Sequence, residues 1–249
     1  MINIKTESEI EKMKNAGHIL AECHNRLRNL VQPGVTTLEL DQYVDRFLQD
    51  HGANAAQKGY MGYPYAICAS VNDEVCHGLP NKKRLKNGDI LTIDFVVDLD
   101  GWLADSAWSY GVGTISSEAE RLLDVTKKAL YKGIEKAHIG NYLGDIGYSI
   151  QSYAEKKGYS IVREFIGHGI GRNIHEEPQV HHVGERYTGI QLKEGMVITI
   201  EPILNQGMPF IAMAQDGWTA LTFDGQLSAQ YEHTVAITKN GPLILTEQP

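Results

Sequence analysis

The chain has 249 residues, 42% hydrophobic and 22% charged, the profile of an ordinary globular protein with ample material for a core. Its net charge of -8 argues against a nucleic-acid binder. Three cysteines, Cys23, Cys68 and Cys76, form no C-x-x-C pair and suit a reducing cytoplasm. The polar N-terminus carries no signal-peptide pattern, and no apolar run reaches the ~18 residues of a membrane span. One domain over residues 1–249 is expected.

In chain order, Thr6 and Glu9 have capping-box spacing and predict a helix to about Leu30, stopped by Pro33-Gly34. Thr36 and Glu39 repeat the signal. The second helix presents Leu40, Val44 and Phe47 on one face and ends at Gly52. Ile67 to Val71 reads as a short strand. Asp89 to Val97 and Trp102 to Tyr110 read as a hairpin turning at Asp100-Gly101. Helices return at about 117–137 and 143–157, and strands broken by Gly-rich turns follow.

An internal repeat runs through this pattern. Lys86-Asn87-Gly88-Asp89-Ile90-Leu91-Thr92-Ile93-Asp94 matches Lys193-Glu194-Gly195-Met196-Val197-Ile198-Thr199-Ile200-Glu201, 107 residues later. The Gly34–Gly52 helix matches the Gly140–Gly158 helix at an offset of 106, pairing Leu40 with Ile146, Val44 with Ile150 and Phe47 with Tyr153. Two α/β halves about a pseudo-twofold axis are expected, bringing Asp94 and Glu201 toward a shared centre.

The turn at Asp100-Gly101 sets Asp105 opposite Val96 and Asp94 opposite Ala107. Asp94 and Asp105 then share a face as diagonal neighbours, ~7–8 Å apart at Cα. Asp94 and Glu201 sit in apolar strands without Lys or Arg. Buried carboxylates are costly unless paired or bound to metal, so a metal site is the reading. Glu232 lies in another strand-like run. His168 and His77 are flanked by glycines, which are read as leaving the imidazole of His168 accessible. His18, His24, His51 and His138 fall in helical segments and are read as surface residues. The pair His181-His182 is set aside because adjacent residues on an extended chain point apart.

The segments Ser70-Val71-Asn72-Asp73-Glu74-Val75-Cys76-His77-Gly78, Thr92-Ile93-Asp94, Asp105-Ser106, Gly167-His168-Gly169-Ile170-Gly171, His175-Glu176-Glu177-Pro178, Ile200-Glu201-Pro202 and Tyr231-Glu232-His233-Thr234-Val235 resemble, in order, the type I methionine aminopeptidases of bacterial form. The resemblance covers the chain from Thr6 almost to its end. It implies the pita-bread fold, an α/β (α+β) arrangement of two pseudo-twofold-related halves around a central antiparallel sheet with helices outside. It also implies removal of N-terminal methionine before a small second residue, by a hydroxide bridging two divalent ions. Asp94, Asp105, His168, Glu201 and Glu232 would hold the ions, which the donor types leave open among Co, Mn, Fe and Zn. Glu201 would shuttle a proton, and His77 and His175 would contact the scissile amide. Tyr60, Tyr63, Cys68, Ile174 and Trp218 would form the methionine pocket. The implied partner is the nascent peptide, with the ribosome nearby, and a cytoplasmic monomer is expected.

The chain departs from the family at Ser106, where Thr is usual, in Ala107-Trp108-Ser109-Tyr110, and at Ile174, where an aromatic is common. These leave the implied ligands intact but bear on pocket shape. Competing readings are a proline dipeptidase or X-Pro aminopeptidase of the same fold, a non-catalytic relative that binds partners, and a structural protein without metal.

Overall fold

The computed structural model describes residues 2–248. Helix α1 (Glu7–Leu30) starts at a complete capping box, with Thr6 Oγ1 accepting the Glu9 N–H and Glu9 reaching back to the Thr6 N–H. Helix α2 (Thr37–Asp50) has the same device at Thr36 and Glu39. Helices α3 (Ser117–Ile134) and α4 (Leu143–Lys156) follow later in the chain. The third helix stops short of residue 137 because Lys136 and Ala137 turn back onto Gly133 and Ile134.

The first half is built on strand β4 (Ile90–Leu99). It pairs on one edge with β1 (Asn54–Ala55) and β2 (Cys68–Val71), and on the other with β5 (Trp102–Gly111). The hairpin register is the expected one, with Asp94 opposite Ala107 and Val96 opposite Asp105. Asp100 (φ 53°) and Gly101 (φ 75°) both take left-handed backbone, the demand of a two-residue turn matched to strand twist. Strand β3 (Glu74–Cys76) leaves this half and joins another sheet described below.

The second half is built on β9 (Val197–Ile200), flanked by β14 (His233–Thr238) and β7 (Gly167–Gly169), with β15 (Gly241–Ile244) and β8 (Glu176–Val180) at the edges. A sheet of β6 (Ser160–Ile161), β10 (Ile203–Asn205) and β13 (Ser228–Gln230) lies beside it. Another joins β3 to β12 (Ala220–Thr222) and β11 (Ile211–Met213).

The repeat is visible in the backbone. Helix α4 begins and ends 106 residues after α2. Each is entered through an isolated antiparallel bridge, Thr36 with Arg84 and Tyr142 with Gln191. The flanking hydrogen bonds recur as well: Gly34 N–H to Leu85 C=O matches Gly140 N–H to Leu192 C=O. Leu40 and Val44 are buried, as are Ile146 and Ile150, whereas Tyr153 is only half-buried.

The halves meet where β5 crosses the segment 230–234. At this crossing the backbone bond from Glu232 N–H to Ala107 C=O joins them directly. Hydroxyls supply most of the rest: Ser106 Oγ donates to Glu232 C=O (2.7 Å), Ser109 Oγ to Gln230 C=O (2.8 Å) and Thr234 Oγ1 to Asp105 C=O (2.8 Å). Ser106 therefore performs a specific task at this seam.

Helix α1 packs on β5 and β4, and α3 on α4, β13 and β10. Trp108 pairs with Ile93, so it projects from the face of β5 opposite Asp94 and Asp105. It is buried there against Tyr231 and His233, with Lys127 Nζ 4.7 Å from its ring centroid. His24 is also buried, contrary to the surface position expected for it. Its Nδ1 lies 2.7 Å from Tyr110 Oη and its Nε2 3.2 Å from Ser106 O. Burial holds its pKa down, to about 4, so the ring is neutral.

Candidate metal centre and substrate pocket

One cavity of about 210 Å³ takes a contribution from both halves. Asp94, Asp105, His168, Glu201 and Glu232 all line it, as do His77, His175, Tyr60, Tyr63, Cys68, Ile174 and Trp218. Asp105 and Glu232 are buried, at 5% and 1% exposure, and the pair is joined by His168 at 9%. One ligand atom from each of these three lies within 4.8 Å of the others. Asp94 and Glu201 line the same cavity beside that trio, Glu201 Oε1 lying 3.7 Å from His168 Nε2. Glu201 stands just past the end of β9 and Glu232 in the break between β13 and β14, so Glu232 is not the strand residue its surroundings predict.

The electrostatics of this cluster are those of acids without a base. Burial, with weaker hydrogen-bond relief, pushes Asp94 up to about 7 and Glu201 up to about 8. Asp105 and Glu232 are raised further by burial and by the charges of their neighbours. His168 Nδ1 lies 2.9 Å from Gly169 O, which can only accept, so Nδ1 carries the proton. Its Nε2 lone pair then faces Asp105 Oδ2 and Glu201 Oε1, each 3.7 Å away. Asp105 Oδ1 and Glu232 Oε1 are buried without any hydrogen-bond donor. Carboxylate oxygens converging with no cationic side chain among them are the donor chemistry of a cation site, protonated when empty and ionised when a cation is bound, and four carboxylates with one imidazole fit divalent ions.

The glycines around His168 have a different role from the one expected. His168 lies within β7, not at a turn, and it is buried. A Cβ at Gly167 would collide with Thr199 O, and one at Gly169 with Glu177 O. Backbone approaches too closely on both sides for a side chain. Thr199, the counterpart of Thr92 in the repeat, then joins two of the candidate ligands. Its Oγ1 accepts the His168 N–H (3.0 Å) and donates to Glu201 Oε1 (2.8 Å).

His77 holds a left-handed backbone (φ 56°) beside Gly78, where a Cβ would stand 2.5 Å from Ala69 O. Its ring packs edge-on against Phe165 at 5.2 Å. His175 packs 4.5 Å from His168 and 5.5 Å from Tyr60, whose Oη lies 3.0 Å from His175 Nδ1. Burial lowers the pKa of both His77 and His175, the former also by the charge of the latter. Tyr63 is buried, its Oη donating toward Ile67 C=O (2.9 Å) and its ring edge-on to Trp218 at 5.1 Å.

Gln57 and His182 are among the residues of the cavity region that the sequence does not mark. Gln57 lines the cavity and acts as a side-chain continuation of β1. Its Oε1 accepts the Val96 N–H (2.8 Å) and its Nε2 donates to Asp94 C=O (3.3 Å), holding the strand just after the Asp94 side chain. No motif in the chain marks it. His182, set aside as half of an adjacent pair, is 2% exposed, and its Nε2 accepts the Glu201 N–H at 3.0 Å.

Residues 11–239 match the model of metallopeptidase family M24. The chain belongs to this family. Among M24 relatives, the methionine aminopeptidase of Clostridium perfringens is 50% identical over 246 residues, which are 99% of each chain. The crystal structure of methionine aminopeptidase from Rickettsia prowazekii superposes with a TM-score of 0.98 at 48% identity, covering 99% of this chain and 100% of that one. The fold is that of these enzymes, two α/β halves around antiparallel sheets. A prolidase from Pyrococcus furiosus shares the fold, with a TM-score of 0.79 at 24% identity, and this chain covers 66% of it. Family membership implies the use of divalent metal. Among the described residues, no helix is long and apolar enough to cross a membrane.

Proposed function

We propose that this M24 chain removes the N-terminal methionine from peptides and nascent proteins, preferring a small second residue. The observation that carries this reading is a donor-poor cluster of four carboxylates and an imidazole at one wall of a cavity whose other walls are Tyr63, Cys68, Ile174 and Trp218. Those apolar and aromatic surfaces suit an unbranched thioether. The named relatives at about half identity over the full length favour methionine over the proline chemistry of the longer prolidase.

Asp94, Asp105, His168, Glu201 and Glu232 would hold two divalent ions, for which Mn, Fe, Co and Zn all suit the donors. When bound, such a pair supplies Lewis acidity and a water of lowered pKa as nucleophile. Glu201, fixed by Thr199 and by Gln230 Nε2 (3.3 Å), is placed to take and return the proton. His175 and His77 face the same space and donate to the scissile amide, His175 to the oxygen as negative charge grows. Tyr60 Oη orients the His175 ring. The unit of function is the whole of residues 1–249, working as a monomer in the cytoplasm on chains emerging from the ribosome.

Purified protein loaded with each cation in turn, assayed on Met-Ala-Ser and Gly-Pro, tests the reading. Metal-dependent release of methionine is the expected result. Cleavage of Gly-Pro with no action on Met-Ala-Ser would transfer the chain to the dipeptidase class.

A further inference from the structure

The loop Gly171–His175 carries two cavity residues, Ile174 and His175, and it has little regular structure of its own. Its placement comes from outside. Leu103 N–H donates to Gly171 C=O (2.9 Å). The Arg172 guanidinium lies 3.9 Å from the Trp102 ring centroid and donates to Gly101 C=O (3.0 Å). Ile174 is buried with Val96 and Met13. These contacts fix the near side of the loop against the β4–β5 hairpin.

The far side is held by one carboxylate. Glu176 Oε1 accepts the N–H groups of Arg172 (3.0 Å) and Asn173 (3.3 Å), closing the loop on itself. Glu176 Oε2 accepts Lys5 Nζ (2.6 Å) and Asn3 Nδ2 (3.0 Å), 171 and 173 residues away. Both side chains of the Lys5–Glu176 pair are 5% exposed. Lys5 is itself anchored, its N–H donating to Gly195 C=O (2.8 Å). The strap passes so close that a Cβ at Gly195 would stand 2.5 Å from Lys5 O. The N-terminal segment thus crosses the turn leading into β9 and clamps the loop that presents His175.

We propose that Lys5 is a positioning residue for His175, acting through Glu176, so that the segment Ile2–Thr6 is part of what sets the catalytic geometry. A charge-assisted bond to an anchored ammonium holds the carboxylate in the one orientation that also receives both loop amides. Without Lys5, Glu176 is free to turn to solvent, and the Arg172 and Asn173 amides lose their acceptor. A displacement of about 1 Å at a group acting in the transition state can cost about 10²-fold in rate. His175 acts on developing charge in the proposed reaction, so the loss falls on kcat more than on KM.

The inference rests on the methionine-removing reading for its kinetic arm, and a second arm is independent of activity. Lys5→Met, Lys5→Arg and Asn3→Ala are compared with the native protein, and Lys128→Met on α3 serves as an exposed ion-pair control. Backbone hydrogen exchange over residues 171–176 should accelerate about tenfold or more in Lys5→Met, less in Asn3→Ala, and little in Lys5→Arg. On Met-Ala-Ser, kcat should fall at least about tenfold in Lys5→Met with KM within about twofold and metal content per chain unchanged, and Lys5→Arg should recover most of the rate. Native exchange in Lys5→Met overturns the proposal, and so does faster exchange with an undiminished kcat. If Lys5→Met does not fold, Asn3→Ala decides by the same two measurements, native values overturning the proposal. A native protein inactive on Met-Ala-Ser defeats the functional reading instead, while the exchange arm still judges the clamp.

Discussion

His182 Nε2 accepts the backbone N–H of Glu201 at 3.0 Å, placing a buried imidazole directly behind a candidate ligand. Burial pushes the pKa of His182 down to about 3, so the ring is neutral and can accept. Its replacement by Leu would leave the Glu201 N–H without a partner, a cost of about 1–3 kcal/mol. For a chain of this size that is a fall in Tm of roughly 2–4 °C per kcal/mol. His182→Leu is therefore expected to melt several degrees lower and to bind cations more weakly, as read by calorimetry and by titration of the metal-free protein. Native values for both would show that Glu201 is held without it.

The raised carboxylates predict a pH effect in chelated protein. Unfolded Asp and Glu titrate near 4, whereas Asp94 and Glu201 in the fold titrate at about 7 and about 8. Between those limits the folded state binds more protons than the unfolded one, so stability falls as pH rises. The buried histidines act in the opposite sense below about pH 6.5, and buried thiols add to the trend above about 8.5. The clean window is pH 6.5 to 8. Chelated protein is expected to melt at lower temperature at pH 8 than at pH 6.5, and excess divalent cation should remove or reverse the difference, because binding needs the carboxylates ionised. Scanning calorimetry with and without chelator reads this, and a chelated Tm that rises across the window would contradict the burial of these acids.

Trp108 predicts a separation of stability from binding. It faces the helix layer and the Lys127 ammonium, not the cavity. Trp108→Leu should lower stability by about 1–3 kcal/mol and leave KM for Met-Ala-Ser unchanged. A shifted KM at native Tm would mean that the strand reports to the pocket after all.

What could be read in the chain before folding was mostly local. The Asp100-Gly101 turn fixes the hairpin register by its backbone demand alone, and that register puts Asp94 and Asp105 on one face. The repeat located both sheet centres. His181 is exposed and His182 buried, as alternation along an extended chain requires, so one member of the pair faces inward although its neighbour does not. His24 shares a helix face with Leu20 and Leu27, a stripe that marks it as internal. The glycines beside His168 answer to Thr199 O and Glu177 O, neighbours supplied by other strands and invisible in a window of sequence. The same holds for Lys5 and Glu176, whose pairing depends on how the whole second half is laid against the N-terminus.

The seam between the halves limits how this protein can change over generations. Within each half a helix packs mainly on strands of that half, α1 on β5 and β4 and α3 on β13 and β10. Ser106, Ser109 and Thr234 are different, since each hydroxyl bonds across to the other copy, beside Asp105 or Glu232. A mutation at any of them disturbs both halves of the repeat at once. Change is thus coupled at the junction, where a single hydroxyl answers to both halves of the repeat.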